Sequence, residues 1–273
     1  MENSSLKDLQ NCELDILKRF INVCDKLNLN YFLIGGSLIG AVRHKGFIPW
    51  DDDIDVCMLR SDYEIFLKEA QNYLDKKYFL QTYLTDENYS NCFAKIRNSE
   101  TTFLEKSVSD RDMNHGVYID IFPIDNYYRY NKLKVKLIQY SLYYDYYKKS
   151  NNKIKVIFNE LAKVIYGNKS KKELCIRLDK IYTKHNNKKS KYVINYSGAW
   201  GVKRERHLIS DFLGYEKVKF GNIQVKIPKG YNQILKDSYG DYMKLPPKEQ
   251  QVSHHYSDII DTKNSYKNYI KFN

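Results

Sequence analysis

Apolar residues recur every three to four positions between Ser5 and Leu27, at Leu9, Leu17, Phe20, Ile21, Cys24 and Leu27, a spacing that predicts an amphipathic first helix. A short apolar stretch, Tyr31 to Ile34, stops at Gly35-Gly36-Ser37 and reads as strand, tight turn and then a helix from Leu38 toward Arg43. After a loop, Asp53 to Met58 alternates acid with apolar side chains, the pattern of a second strand. Ser61 with Glu64 three residues on forms a capping-box pattern that opens a helix running to about Leu74. Strand-like stretches follow at Tyr78 to Tyr83, Cys92 to Arg97 and Val117 to Phe122. Alternation of strands and helices predicts an α/β class, with a sheet domain in about the first half of the chain.

From Lys132 to about Asn186 the periodicity becomes helical, broken at Ser150-Asn151-Asn152 and again at Gly167-Asn168. Tyr215 to Ile227 reads as a small β-hairpin turning at Gly221-Asn222, Tyr231 to Tyr239 as a further helix, and Pro246-Pro247 begins an irregular tail. A soft boundary near Tyr130 divides a catalytic core, residues 1–130, from a largely helical region, residues 131–273, expected to complete the substrate site.

Composition narrows the class. A chain of 273 residues is long enough to bury one large core or two closely packed ones. The formal net charge of +12 favours anionic partners without choosing among them. Five cysteines, an odd number with no CxxC pair, support neither a disulfide framework nor a zinc knuckle and are expected to be reduced thiols. With a mean hydropathy of -0.64, no apolar run near spanning length and no signal pattern at the N-terminus, the expectation is a cytoplasmic protein. The stretch from Leu133 to Lys149 mixes aromatic and basic residues. It could lie on the inner face of the cell membrane, although a core-packed helix with a solvated basic face is the preferred reading.

The chemistry concentrates in GGSLIGAVRHKGFIPWDDDIDV, from Gly35 to Val56. On a strand, residues two apart project to the same face about 6.6 Å apart, so Asp53 and Asp55 point at one site. Two like charges at that separation repel by about 2.5 kcal/mol at an effective dielectric near 20, which a divalent cation between them would reverse. Carboxylate and phosphate oxygens suit magnesium, with manganese the alternative, and the site offers too few soft ligands for zinc. Gly36 and Ser37, in a turn between strand and helix, would let the backbone approach a phosphate. A third acid is expected in YIDIFPID: Asp120 on the strand, with Asp125 as competitor. Arg43, His44 and Lys45 either hold a leaving phosphate or form a solvated basic turn. In YGDYMKLPPKEQQVSHH, Tyr239 and Asp241 are candidates to close over substrate, with His254 or His255 nearby, and Trp50 is available to cage a quaternary ammonium.

The long first motif, followed in order by YIDIFPID and YGDYMKLPP with its trailing His pair, resembles the LicD family, to which the fukutin-related proteins also bear likeness. The resemblance implies a nucleotidyltransferase fold with a mixed sheet that moves a phospho-alcohol from a CDP-activated donor to a hydroxyl of a glycan or teichoic acid precursor, releasing CMP. Phosphocholine is the expected group. On this resemblance Asp53 and Asp55 match the metal-binding acids, Gly36 and Ser37 the phosphate turn, and Asp120 the third carboxylate, which would bind a second ion and accept a proton. The long spacing between Ser37 and Asp53 departs from the usual nucleotidyltransferase pattern and leaves Asp51 as an alternative partner for Asp53.

Two other readings compete. One keeps the fold but moves a nucleoside monophosphate onto a small molecule, releasing pyrophosphate. The other is a non-catalytic basic module for nucleic acid or another polyanion, which the aspartates between Asp51 and Asp55 oppose because they would repel it.

Overall fold

The computed structural model describes residues 4–148, 152–253 and 257–270. Helix α1 (Leu6–Lys26) opens with a capping box in which the Ser5 hydroxyl accepts from the Asp8 N–H and the Asp8 carboxylate accepts from the Ser5 N–H. Its apolar stripe, Leu9, Ile16, Leu17, Phe20, Val23 and Cys24, is buried. Strand β1 (Phe32–Leu33) leads into α2 (Gly35–Ile39), which continues as one π-helical turn, Gly40–His44. Then come β2 (Asp55–Leu59), α3 (Arg60–Glu69), β3 (Tyr78–Gln81), β4 (Ala94–Asn98), β5 (Thr102–Glu105) and β6 (Val117–Asn126). Phe20 meets Tyr31 and Phe66 at ring-centroid distances of 5.1 and 5.2 Å, locking α1 and α3 to the strand edge.

The sheet runs in the order β1-β2-β6-β4-β3. Strands β2 and β6 are parallel, and the other neighbours on this path are antiparallel, so the sheet is mixed as expected. The parallel register sets Asp55 beside Asp120, and the antiparallel register sets Lys95 on its other side.

The second half begins with four helices, α4 (Lys132–Leu142), α5 (Tyr144–Lys148), α6 (Lys153–Tyr166) and α7 (Lys171–Tyr182). Val135, Ile138 and Leu142 of α4 pack with Leu174, Cys175 and Leu178 of α7 in a satellite core, the plain reading preferred for that stretch. Strand β7 (Tyr192–Ile194) extends the main sheet by pairing with the end of β6, and it carries β8 (Arg206–Leu208), reached through the short helix α8 (Val202–Glu205). The hairpin β9 (Tyr215–Phe220) and β10 (Ile223–Pro228) turns at Gly221-Asn222, α9 (Tyr231–Tyr239) follows, and β11 (Ser257–Asp261) pairs with β5.

Three local expectations are corrected. Gly35-Gly36-Ser37 is the first turn of α2 rather than a loop before a later helix: Ile34 is the N-cap, and its carbonyl accepts the Leu38 N–H. Ser61 lies inside α3, whose N-cap is Leu59 with no side-chain bond, so the proposed capping box does not form. The tail after Pro247 contains β11, and β5 was not anticipated. These two short strands, far apart in sequence, pair with each other, and the Phe103 N–H donates to the His115 carbonyl while the Ser4 N–H donates to the Ile260 carbonyl. The five cysteines are free thiols, and among the described residues no helix is long and apolar enough to cross a membrane.

Candidate active site

Asp53 lies outside regular secondary structure two residues ahead of Asp55, the first residue of β2, so the strand starts later than its alternating pattern suggested. Both carboxylates nevertheless line one cavity of about 300 Å³, together with Gly35 and Asp120. Asp53 also belongs to a second grouping: carboxylate oxygens of Asp51, Asp52 and Asp53 lie within 4.8 Å of one another. Asp53 is thus common to both sets, with Asp51 beside it in one and Asp55 in the other.

The glycines are explained by these carboxylates. A Cβ on Gly36 would stand 2.6 Å from Asp51 Oδ2, and one on Gly35 would stand 2.9 Å from Asp55 Oδ2. Gly35 also has φ +61, a backbone conformation costly for side chains with a Cβ. Side chains at either position would therefore collide with an aspartate carboxylate. The buried Ser37 hydroxyl accepts the Asp55 N–H at 2.9 Å, so it orients the strand that carries Asp55.

The cluster is electrostatically loaded. Burial, followed by repulsion from Asp53, Asp120 and Asp51, pushes the Asp55 carboxyl well above its usual range, with Lys95 opposing the shift. From beneath, α1 contributes two side chains that the sequence reading missed. Gln10 Nε2 donates to the Asp51 carbonyl at 2.9 Å. Glu13 is 2% exposed, its Oε2 has no hydrogen-bond partner among the described residues, and its carboxyl is pushed far up by burial and by Asp53, Asp52, Asp51 and Asp120. This concentration of carboxylate oxygen donors fits a divalent cation.

Asp120 is paired as well as placed. Lys95 Nζ lies 2.7 Å from its Oδ1 and 3.3 Å from the centroid of the Tyr118 ring, so a buried ammonium is held between a carboxylate and a π-face. Asp125, the competing third acid, faces elsewhere. It takes a two-pronged ion pair from Arg60, with Nε–Oδ1 and Nη2–Oδ2 both at 2.7 Å, and a further bond from Asn186.

Several candidates are not among the residues lining this cavity. Arg43 donates to the Tyr242 carbonyl at 2.6 Å and, from Nε, to His44 Nε2 at 2.8 Å, so its guanidinium anchors the segment after α9. Lys45 adopts φ 56, and its carbonyl accepts the Gly221 N–H, which joins that turn to the hairpin. Trp50 packs at the edge of the main core, 6.4 Å from the His44 ring, and Asp241 is exposed. His254 and His255 lie outside the described residues. Tyr239 does line the cavity. So do Trp200, Glu205 and His207, none of which carried a recognisable motif; the only available signal was an isolated tryptophan in a segment without strong periodicity.

Neutral Glu13 has a consequence for stability. Above pH 4.5 the unfolded chain releases this proton while the folded chain keeps it, so the folded form binds more protons and loses stability as pH rises toward the raised native value. A glutamine at this position would not titrate. In EDTA, the melting temperature of Glu13→Gln minus that of the wild type is expected to grow steadily as a thermal-melt series is taken upward from about pH 5. A constant difference would show that Glu13 is ionised in the fold.

A mixed sheet whose parallel pair aligns two carboxylates, with a glycine-opened helix leaning on the same acids, is the arrangement of a nucleotidyltransferase-fold domain. Residues 28–164 match the family model described as LicD/FKTN/FKRP, nucleotidyltransferase domain. The chain is 30% identical over 268 residues to lipopolysaccharide cholinephosphotransferase LicD of Haemophilus influenzae, covering 93% of this chain and 97% of that protein. Over 42 residues it is 43% identical to ribitol 5-phosphate transferase FKRP of Homo sapiens, a match covering 15% of this chain and 8% of that protein. The chain belongs to the LicD family and is a LicD-like phosphotransferase.

Proposed function

We propose that the protein transfers phosphocholine from CDP-choline to a hydroxyl of a glycan or teichoic acid precursor and releases CMP, with magnesium bound at the aspartate cluster. The observation that carries this reading is the convergence of Asp53, Asp55 and Asp120 on one cavity. The near full-length similarity to a relative named a lipopolysaccharide cholinephosphotransferase supports the choice of group.

A bound divalent ion would neutralise the diphosphate and polarise its oxygens, with Asp53 and its carboxylate neighbours holding it. The rest falls to the chain. Ser37 and Gln10 fix the backbone that presents the acids, and the cavity walls position the donor for in-line attack. Asp120 accepts the proton of the attacking hydroxyl, and Lys95 holds that carboxylate in place. Residues beyond Tyr130 complete the site: Trp200 and Tyr239 offer ring faces, and Glu205 negative charge, for a quaternary ammonium. In this reading the wall residue is Trp200, and Trp50 has a packing role.

The test incubates the purified protein with CDP-choline, CDP-ribitol or CDP-glycerol, magnesium and glycan acceptors, and follows nucleotide products. CMP release with CDP-choline is the expected outcome. Pyrophosphate release from a nucleoside triphosphate, without CMP from any CDP-alcohol, would point instead to nucleotidyl transfer.

A further inference from the structure

Across the rim formed by Ser197, Gly198 and Ala199, the acidic cavity adjoins a second hollow of about 350 Å³, which shares that rim and Phe93 with it. Among the described residues, no charged side chain lines the second hollow. Its distinguishing wall is Asn91, Gln139, Tyr143, Tyr147, Tyr182 and Tyr196. Tyr143 donates its hydroxyl proton to Asn91 Oδ1 at 2.6 Å, and the rings of Tyr182 and Tyr196 stack at 4.7 Å. Ring faces and neutral amides match the C–H faces and hydroxyls of an uncharged sugar, whereas a diphosphate would find no cation there.

We propose that this hollow seats the neutral sugar ring of the acceptor and presents one hydroxyl across the rim to Asp120; the assignment rests on the phosphotransfer reading above. That hydroxyl oxygen forms the new bond to the phosphorus bearing the alcohol, the bond from that phosphorus to the CMP oxygen breaks, and the hydroxyl proton passes to Asp120. Saturation-transfer NMR with methyl β-glucoside, methyl β-galactoside and methyl N-acetyl-β-glucosaminide tests it. Wild-type protein is expected to transfer saturation to at least one sugar. Tyr147→Ala and Gln139→Ala are expected to lose most of that signal and Tyr147→Phe to keep it, while the thermal shift caused by CDP stays unchanged in all three. Absence of transfer with wild type, or equal transfer in the alanine variants, overturns the inference. The underlying reaction fails separately, if the protein binds sugar yet releases no CMP.

On α6, Ile154, Ile157, Leu161, Val164 and Ile165 are 67%, 67%, 45%, 84% and 47% exposed. At helical spacing these five fall within one stripe about 100° wide, away from the face that buries Asn159 and Ala162. The charged residues of this helix are Lys153, Lys155 and Lys163 against the single acid Glu160, on a chain of net charge +12. At helical spacing Lys153 flanks the stripe, whereas Lys163 lies on the opposite side, its Nζ 4.9 Å from the centroid of the Tyr144 ring. The geometry points to an anionic lipid surface as the occupant, with the aliphatic stripe seated at the headgroup boundary, Lys153 on lipid phosphates and the net charge of +12 favouring the anionic face.

Sedimentation with large vesicles tests this directly. Binding is expected to phosphatidylcholine vesicles containing phosphatidylglycerol and not to phosphatidylcholine alone, and to be lost in Ile157→Glu and in Val164→Glu with no change in melting temperature. Failure of the wild type to sediment, equal sedimentation of the variants, or a concentration-dependent dimer that the same substitutions dissolve would each overturn it.

Discussion

Asp53→Ala is expected to lower CMP release by about 10³-fold or more while leaving the metal-free protein at least as stable as the wild type. The two effects have one cause. Asp53 is the residue shared by the Asp51–Asp53 cluster and by the cavity lined with Asp55 and Asp120, so its removal takes a carboxylate from both. It is also a leading source of the repulsion that pushes up Asp55 and Glu13, and relieving like-charge repulsion stabilises the fold without metal. Asp55→Ala is expected to abolish turnover similarly. The measurements are CMP release from CDP-choline and thermal melts in EDTA. Retained activity in both variants would refute the metal assignment, and a large drop in melting temperature for Asp53→Ala would show that the acid is structural.

The second large effect concerns the acid that the sequence left in competition with Asp120. Asp125→Ala should destabilise the protein by about 3–5 kcal/mol, because it strands the Arg60 guanidinium in a buried site. The ion-paired side chains are 9% and 1% exposed, and Asp179 supplies only one further contact, at 3.1 Å. The folded fraction should still release CMP, since Asp125 does not line the acidic cavity. Denaturant unfolding together with activity at low temperature separates these outcomes. Normal stability combined with lost turnover would return Asp125 to the chemistry.

The difference between these two acids shows how far local pattern reaches. Asp120 and Asp125 lie on the same strand, and a period-two pattern alone cannot say which one meets Asp55. The parallel register that pairs Asp55 with Asp120 is a property of β2 and β6 together. Glu13 carried no signal for a related reason. It reads as one more polar position on an amphipathic helix, yet α1 packs it beneath four aspartates. At the basic turn from Arg43 to Lys45 local pattern left phosphate binding and a solvated turn equally open, and it could not show that the Arg43 guanidinium donates to the Tyr242 carbonyl after α9, nearly two hundred residues away.

What the amino-acid sequence determined by itself is what depends on neighbouring residues: the amphipathic α1, the hairpin at Gly221-Asn222, the helical stretch after Lys132, and the long motif joining Gly35-Gly36 to Asp53 and Asp55. Tertiary structure alone decided which acids share a cavity, which are tied up in ion pairs, and that Trp200 and Glu205 line that cavity beside Tyr239, which the sequence had already singled out. The physical reason is range. Backbone preference and periodicity act over a few residues, whereas a carboxylate's charge, burial and partners are set by whatever the fold brings within a few ångströms of it.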